Sequence, residues 1–160
     1  MSEKKSLDGL PIRRDKKTGM PIWSDVREFA LKYSIGVNRI SKFLEGLMEK
    51  KIFATRCKNC GEMFFPPQMD CPRCRKSDME WVELSGEGEL EAYSIQYIKP
   101  KTFQHYEDYV IAIGKLKEGV KVFTWLRIDD VSKIKIGMKL KLIVNKRLPE
   151  GYLVYEFIPA

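Results

Sequence analysis

The chain has 160 residues, 44% of them hydrophobic and 32% charged, with a formal net charge of +7. That is enough apolar material for a real core, expected to be divided among small modules. No apolar run approaches the roughly eighteen residues of a membrane span, and Met1 to Asp8 lack the apolar centre of a secretion signal, so the expected location is the cytoplasm.

Residues 1–22 read as an extended arm, interrupted by Pro11, Gly19 and Pro21, whose cations (Arg13, Arg14, Lys16, Lys17) are expected to be solvated. Ser24 then suits a helix N-cap, and Val26, Phe29, Ala30 and Tyr33 follow at helical spacing, predicting a short amphipathic helix that Gly36 ends. A second helix is predicted from Ile40, Phe43, Leu44, Leu47 and Met48 on one face, with Lys42, Glu45, Glu49 and Lys50 opposite and Asn38 or Ser41 as its cap. Residues 1–52 thus form one unit, an arm and two amphipathic helices. Its apolar stripe could cover the next module, a second copy of the chain or another protein.

Residues 53–80 hold all four cysteines, as Cys57-Lys-Asn-Cys60 and Cys71-Pro-Arg-Cys74, with ten residues between the pairs. Zinc takes four thiolates at tetrahedral corners, about 2.3 Å from each sulfur, and two C-x2-C turns supply them from opposite sides. The alternatives are two disulfides or a redox pair; disulfides are not expected, since nothing at the N-terminus resembles a secretion signal. Four thiolates leave no open position for water or substrate, so the zinc is expected to be structural. Four lost protons and one dication lower the net charge by two, to +5. Phe64 and Phe65 are expected to shield the metal or pack on the next module, and Pro66-Pro67 to hold an extended link.

From Trp81 the pattern turns to strands, expected at 89–98, 109–117, 120–128, 138–146 and 152–158. Gly86 and Gly88 punctuate the entry, Lys117-Glu118-Gly119 marks a hairpin, and 129–137 is a longer connection. Five short strands over 81–160 predict an OB-type Greek-key barrel, with an SH3-like barrel as the alternative. The fold class expected is therefore mainly β with N-terminal helices: a rubredoxin-like zinc ribbon followed by a five-stranded OB barrel.

Alternation within 120–128 puts Val120, Val122, Thr124, Leu126 and Ile128 on one face and Lys121, Phe123, Trp125 and Arg127 on the other. The first is a barrel interior. The second, aromatic and cationic, suits either a packed contact or a nucleotide, with rings on the base and cations on phosphate. Lys139 and Lys141 read as solubilising edge charges. His105 falls in a loop with no identifiable Ser, Cys or carboxylate partner, and neither it nor Glu107 or Asp108 is expected to act as a catalytic acid or base. Charge is almost balanced after residue 85, with 12 Lys/Arg against 10 Asp/Glu. Single-stranded nucleic acid is therefore the lesser candidate for the barrel, since such binders concentrate positive charge on the binding module.

These motifs combine. Phe43-Leu-Glu-Gly-Leu, Cys57-x-x-Cys60-Gly61, Phe65-Pro66-Pro67, Cys71-Pro72-x-Cys74, Trp81-Val-Glu-Leu84-Ser85-Gly86-x-Gly88, Gly137-Met138-Lys139-Leu140 and Tyr155-Glu-Phe157-Ile-Pro159 resemble the acyl-CoA-associated zinc-ribbon/OB-fold family called domain of unknown function thirty-five. The likeness covers about residues 40–160. It implies association with thiolases and related condensing enzymes, and a non-catalytic role in binding acyl-CoA or scaffolding its handover. It assigns no CoA-contacting residue; Lys121, Phe123, Trp125 and Arg127 are candidates from alternation alone.

Overall fold

The computed structural model describes residues 12–23, 34 and 36–160, and divides into two units, Met1–Ile35 and Gly36–Ala160. In the first, β1 (Ile12–Arg14) and β2 (Pro21–Trp23) pair antiparallel, Ile12 opposite Trp23. The expected extended arm is therefore a hairpin over these residues. Its turn is built by Asp15, whose carboxylate accepts the backbone N–H of Thr18 at 2.8 Å and of Lys17 at 3.0 Å. A short acceptor side chain at the start of a turn replaces the bonds the backbone cannot make. The helix predicted over Val26–Tyr33 lies outside the described residues.

The second unit opens with a 3-10 turn, Asn38–Ile40, running directly into α1, Ser41–Met48. Neither Asn38 nor Ser41 caps it; the N-cap position is Ile40 and carries no side-chain hydrogen bond. The stripe is narrower than its spacing suggested. Phe43, Gly46 and Leu47 are buried, while Leu44 and Met48 are exposed, Met48 at 72%. Gly46 is required by close approach, because a Cβ there would lie 2.6 Å from the Phe53 ring. The helix ends in a two-bond lock: Lys51 N–H to Gly46 O at 2.8 Å and Lys50 N–H to Leu47 O at 3.1 Å, with Lys50 left-handed at φ 61°. The buried stripe of α1 packs on its own ribbon and on the last barrel strand, while Leu44 and Met48 stay exposed.

The ribbon is a three-stranded antiparallel sheet in the order β4-β3-β5, from β3 (Phe53–Cys57), β4 (Met63–Phe64) and β5 (Met79–Glu83). Thr55 is fully buried, and its hydroxyl both donates to Gln68 O and accepts from Gln68 N–H, each at 2.9 Å. That pins the segment between the cysteine pairs onto β3. The peptide bond before Pro66 is cis.

Strands β6 (Glu87–Gln96), β7 (Tyr109–Leu116), β8 (Lys121–Leu126), β9 (Lys139–Arg147) and β10 (Tyr152–Pro159) close a barrel in the order β10-β8-β7-β6-β9. All pairs are antiparallel except β10 with β8, which meet in parallel at Phe157 and Leu126. Third and fifth strands running parallel is the OB connection rather than the SH3-like one. A bulge between Leu90 and Ala92 shifts the β6–β7 register, and before it Gly88 and Glu89 pair with β7 on one side and β9 on the other. The interior holds Leu90, Val110, Ala112, Leu116, Val122, Leu126, Leu140, Leu142 and Phe157, as alternation requires. Lys139 and Lys141 are not on an edge, since β9 is paired on both sides; Lys139 is ion-paired with Glu89.

Candidate functional site

The four sulfurs converge. Every Sγ of Cys57, Cys60, Cys71 and Cys74 lies within 4.8 Å of the others, with Cys57 to Cys74 at 3.5 Å and Cys60 to Cys71 at 3.6 Å. A tetrahedral zinc with bonds of about 2.3 Å needs sulfurs about 3.8 Å apart. These two pairs are within a few tenths of an ångström of that, and too open for a disulfide.

The two turns are copies of one another. In the first, Cys57 N–H donates to Glu62 O and Gly61 N–H to Cys57 O, both at 2.8 Å. In the second, Cys71 N–H donates to Lys76 O and Arg75 N–H to Cys71 O, again at 2.8 Å. Both need a left-handed residue after the second cysteine: Gly61 at φ 75° and Arg75 at φ 59°. Arg73 of the second turn is ion-paired with Glu62 beside the first.

Electrostatics call for the metal. At Cys60 a backbone N–H from Glu62 favours the thiolate, yet burial and the neighbouring thiols push it up to about 12. At Cys74 burial opposes ionisation, but the Lys76 backbone and the adjacent thiols bring it down to about 6. Four thiolates this close cannot all be charged without a dication among them. Zinc would be held by all four thiolates, which fills its shell and makes it a structural brace.

The ribbon is joined to the barrel by rings. Phe65 packs on Phe43 of α1 and on Tyr155 of β10, so it packs on the next module, one of the two expected roles. Arg39 spans to Asp70 with bonds of 2.9 and 3.1 Å, an exposed pair that fixes direction more than energy.

Lys121, Phe123 and Trp125 of β8 and Arg127 just after it lie on the outer side but differ in surroundings. Lys121 pairs with Glu91 at 2.7 Å. Arg127 Nε pairs with Glu156 at 2.9 Å, and Glu156, only 5% exposed, also accepts from Asn145 at 2.9 Å. Trp125 has Tyr109 stacked on one side, 4.2 Å away at 15°, and Arg147 at 3.8 Å from its ring centroid. Phe123 alone presents a bare ring, 65% exposed.

Beside this face, the connection after β6 meets the β9–β10 turn. His105 packs on Tyr106 with ring centroids 4.1 Å apart and tilted by 40°, and its Nε2 lies 3.1 Å from Glu150. The Tyr106 hydroxyl donates to the other Glu150 oxygen. The sequence showed no carboxylate partner for His105, and the structure supplies Glu150; Asp108 pairs with Lys99 at 2.8 Å. Tyr106, Tyr109, Arg147 and Glu150 were not legible as a group. The only signal was a run of aromatics (Phe103, Tyr106, Tyr109), with nothing in sequence to say which strand they would meet.

Known proteins carry the same two modules. Residues 44–80 match the ChsH2 rubredoxin-like zinc ribbon domain and residues 81–145 the ChsH2 C-terminal OB-fold domain. A DUF35 domain-containing scaffold protein of Methanocaldococcus jannaschii is 35% identical over 101 residues, 62% of this chain and 72% of that protein. The benzoylsuccinyl-CoA thiolase subunit BbsA of Thauera aromatica is 30% identical over 89 residues, 51% of this chain and 60% of that protein. Among solved structures, a chain of the Ltp2-ChsH2(DUF35) aldolase superposes with a TM-score of 0.66 at 26% identity, covering 80% of this chain and 98% of that one. A ribbon of paired cysteine turns, welded by aromatic rings to a five-stranded OB barrel and matched over most of a scaffold protein's length, places this chain in the DUF35 family.

Proposed function

We propose that the protein is a non-catalytic scaffold subunit of CoA-thioester (lipid or isoprenoid) metabolism. It would seat a thiolase-type condensing enzyme or a related aldolase and hold acyl-CoA for it. The observation that carries this reading is the closed four-sulfur cluster braced against a barrel that keeps an exposed aromatic surface. Such a body has no open metal position, and every cysteine of the chain is committed to the brace. It offers surfaces rather than a reacting group. Relatives named as scaffold proteins, a thiolase subunit and a chain of an aldolase complex support the same assignment. Under this reading the work is divided among residues 1–52 for docking, 53–80 for rigidity and 81–160 for recognition. Among the described residues, no helix is long and apolar enough to cross a membrane.

Ligand contact is assigned to the β8 face, with Phe123 as the open ring beside Lys121, Trp125 and Arg127. The competing nucleic-acid reading loses support there, since Lys121 and Arg127 are each neutralised by a carboxylate. The test is affinity purification from the native cell with mass spectrometry, followed by calorimetry of the isolated chain and of the complex with acetyl-CoA. A condensing enzyme in the eluate and CoA binding by the complex are expected. An eluate without a condensing enzyme, together with no CoA binding by chain or complex, would overturn the proposal.

A further inference from the structure

One cation on this side of the barrel is not neutralised. Arg147, the last residue of β9, lies flat on Trp125 with its Cζ 3.8 Å from the ring centroid. Its Nε is buried and has no hydrogen-bond partner, and among the described residues no carboxylate lies within ion-pair distance of it. A guanidinium held against an indole is weakly hydrated, fixed in direction and left with unused donors on its edge.

Arg147 lines a cavity of about 350 Å³ whose other walls include Phe123, Trp125, Leu153 and Tyr155; no other charged residue lines it. Trp125 is covered on its two sides by Tyr109 and Arg147, so it stacks nothing further. Phe123 has the free ring face. The cavity therefore combines one exposed stacking plane, apolar walls and a single unpaired cation. Its volume suits one nucleoside-sized group, at the small end of known ligand pockets. A larger cavity of about 820 Å³ on β6, β7 and β9 suits phosphate poorly, because Glu87, Glu89 and Glu91 line it among its lysines.

We infer that this cavity binds a phosphorylated aromatic group, with Phe123 stacking the ring and Arg147 anchoring the phosphate. Resting on the acyl-CoA reading above, that group is the phosphoadenosine end of the CoA thioester, and the pantetheine arm and acyl group lead away from the barrel. The binding residues are then Arg147 and Phe123, with Trp125 as supporting wall, while Lys121 and Arg127 lie outside the cavity lining.

Calorimetry on the full chain, alone and in complex with its partner enzyme, tests this with CoA, adenosine 3′,5′-bisphosphate and acetyl-pantetheine. Both nucleotides are expected to bind and acetyl-pantetheine to bind the chain no better than it binds the partner alone. Arg147→Met keeps the apolar stem and is expected to weaken nucleotide binding by about tenfold to a hundredfold, the size of a lost charge-assisted hydrogen bond. Phe123→Ala removes an exposed ring without disturbing the core, and is expected to weaken it by about fivefold to a hundredfold. CoA binding at full strength to both variants overturns the site while leaving the CoA reading standing. Absence of CoA binding by the unaltered chain and complex overturns both.

Discussion

Phe65 of the ribbon and Tyr155 of the barrel meet edge to face, with ring centroids 5.1 Å apart at 79°. Phe43 of α1 closes the triangle at 6.0 and 6.1 Å. Three modules that could each have moved separately share one aromatic joint. Phe65 and Tyr155 are only partly buried, so Phe65→Ala should cost less than the 3–5 kcal/mol of a fully buried phenylalanine, about 2 kcal/mol. In denaturant, the variant is expected to lose α1 and ribbon signals before barrel signals. A single coincident transition at the wild-type midpoint would remove the joint from this account.

Much of this architecture was legible in the chain. The cysteine spacing fixed the metal turns, and period-two alternation fixed which side of each barrel strand faces inward. What the sequence could not show is what lies opposite. The stripe Ile40 to Met48 has helical spacing throughout, yet Phe43 and Leu47 are buried while Leu44 and Met48 are exposed, a division set by what lies opposite the helix. Alternation likewise put Lys121 and Arg127 outside correctly but could not reveal Glu91 and Glu156 beside them. Arg147 and Glu150 join the β8 face only through barrel closure, a contact distant in sequence.

The paired turns of the metal cluster predict unequal tolerance to glycine. A left-handed residue with a side chain costs about 1–2 kcal/mol, partly offset by the lower entropy of its unfolded chain. Arg75→Gly and Lys50→Gly should therefore each stabilise by about 0.5–1 kcal/mol. Gly61→Ala should cost about 1–2 kcal/mol through its φ alone, since a Cβ there meets nothing within 4 Å. Elemental analysis is expected to find one zinc per chain. Time courses with a chelator and a colorimetric zinc reporter should show faster release from Gly61→Ala and slower release from Arg75→Gly. The reverse order would mean that the turns do not set metal retention.

The Glu150 contact predicts a two-sided pH window. The Tyr106 hydroxyl, then the turn backbone and His105, hold the Glu150 carboxyl below its ordinary 4.5. Burial first, and then Glu150, raises the Tyr106 phenol above its ordinary 10.0. A depressed carboxyl contributes stability above 4.5 that is lost as pH falls through its folded value. A raised phenol contributes stability below 10.0 that is lost as pH rises through its own. The join between the β6–β7 connection and the β9–β10 turn should therefore be tight across neutral pH and loosen at both extremes. Tyr106 and Trp125 side-chain resonances followed by NMR should shift on both limbs, and Glu150→Gln should abolish the acid limb. An acid limb that survives in Glu150→Gln belongs to another group.

Close approach at two barrel glycines gives the last prediction. A Cβ on Gly88 would stand 2.5 Å from the Lys115 carbonyl oxygen and 2.9 Å from the Leu116 side chain. A Cβ on Gly114 would stand 2.5 Å from the tip of the Phe157 ring. The obstacles differ in kind. The Lys115 carbonyl belongs to β7, which is bonded to both β6 and β8, and it cannot retreat without breaking registry. The Phe157 ring fills the barrel centre and is fully buried, but it can tilt. Overpacking a close-packed interior costs about 1–3 kcal/mol, and more where backbone must move. Gly36, with nothing within 4 Å, is the control, and Gly36→Ala should stay within about 0.5 kcal/mol of wild type. Denaturant midpoints should rank Gly36→Ala above Gly114→Ala and Gly114→Ala above Gly88→Ala. If Gly114→Ala were the more damaging of the two barrel variants, the ring at the centre would be the rigid element and the strand the yielding one.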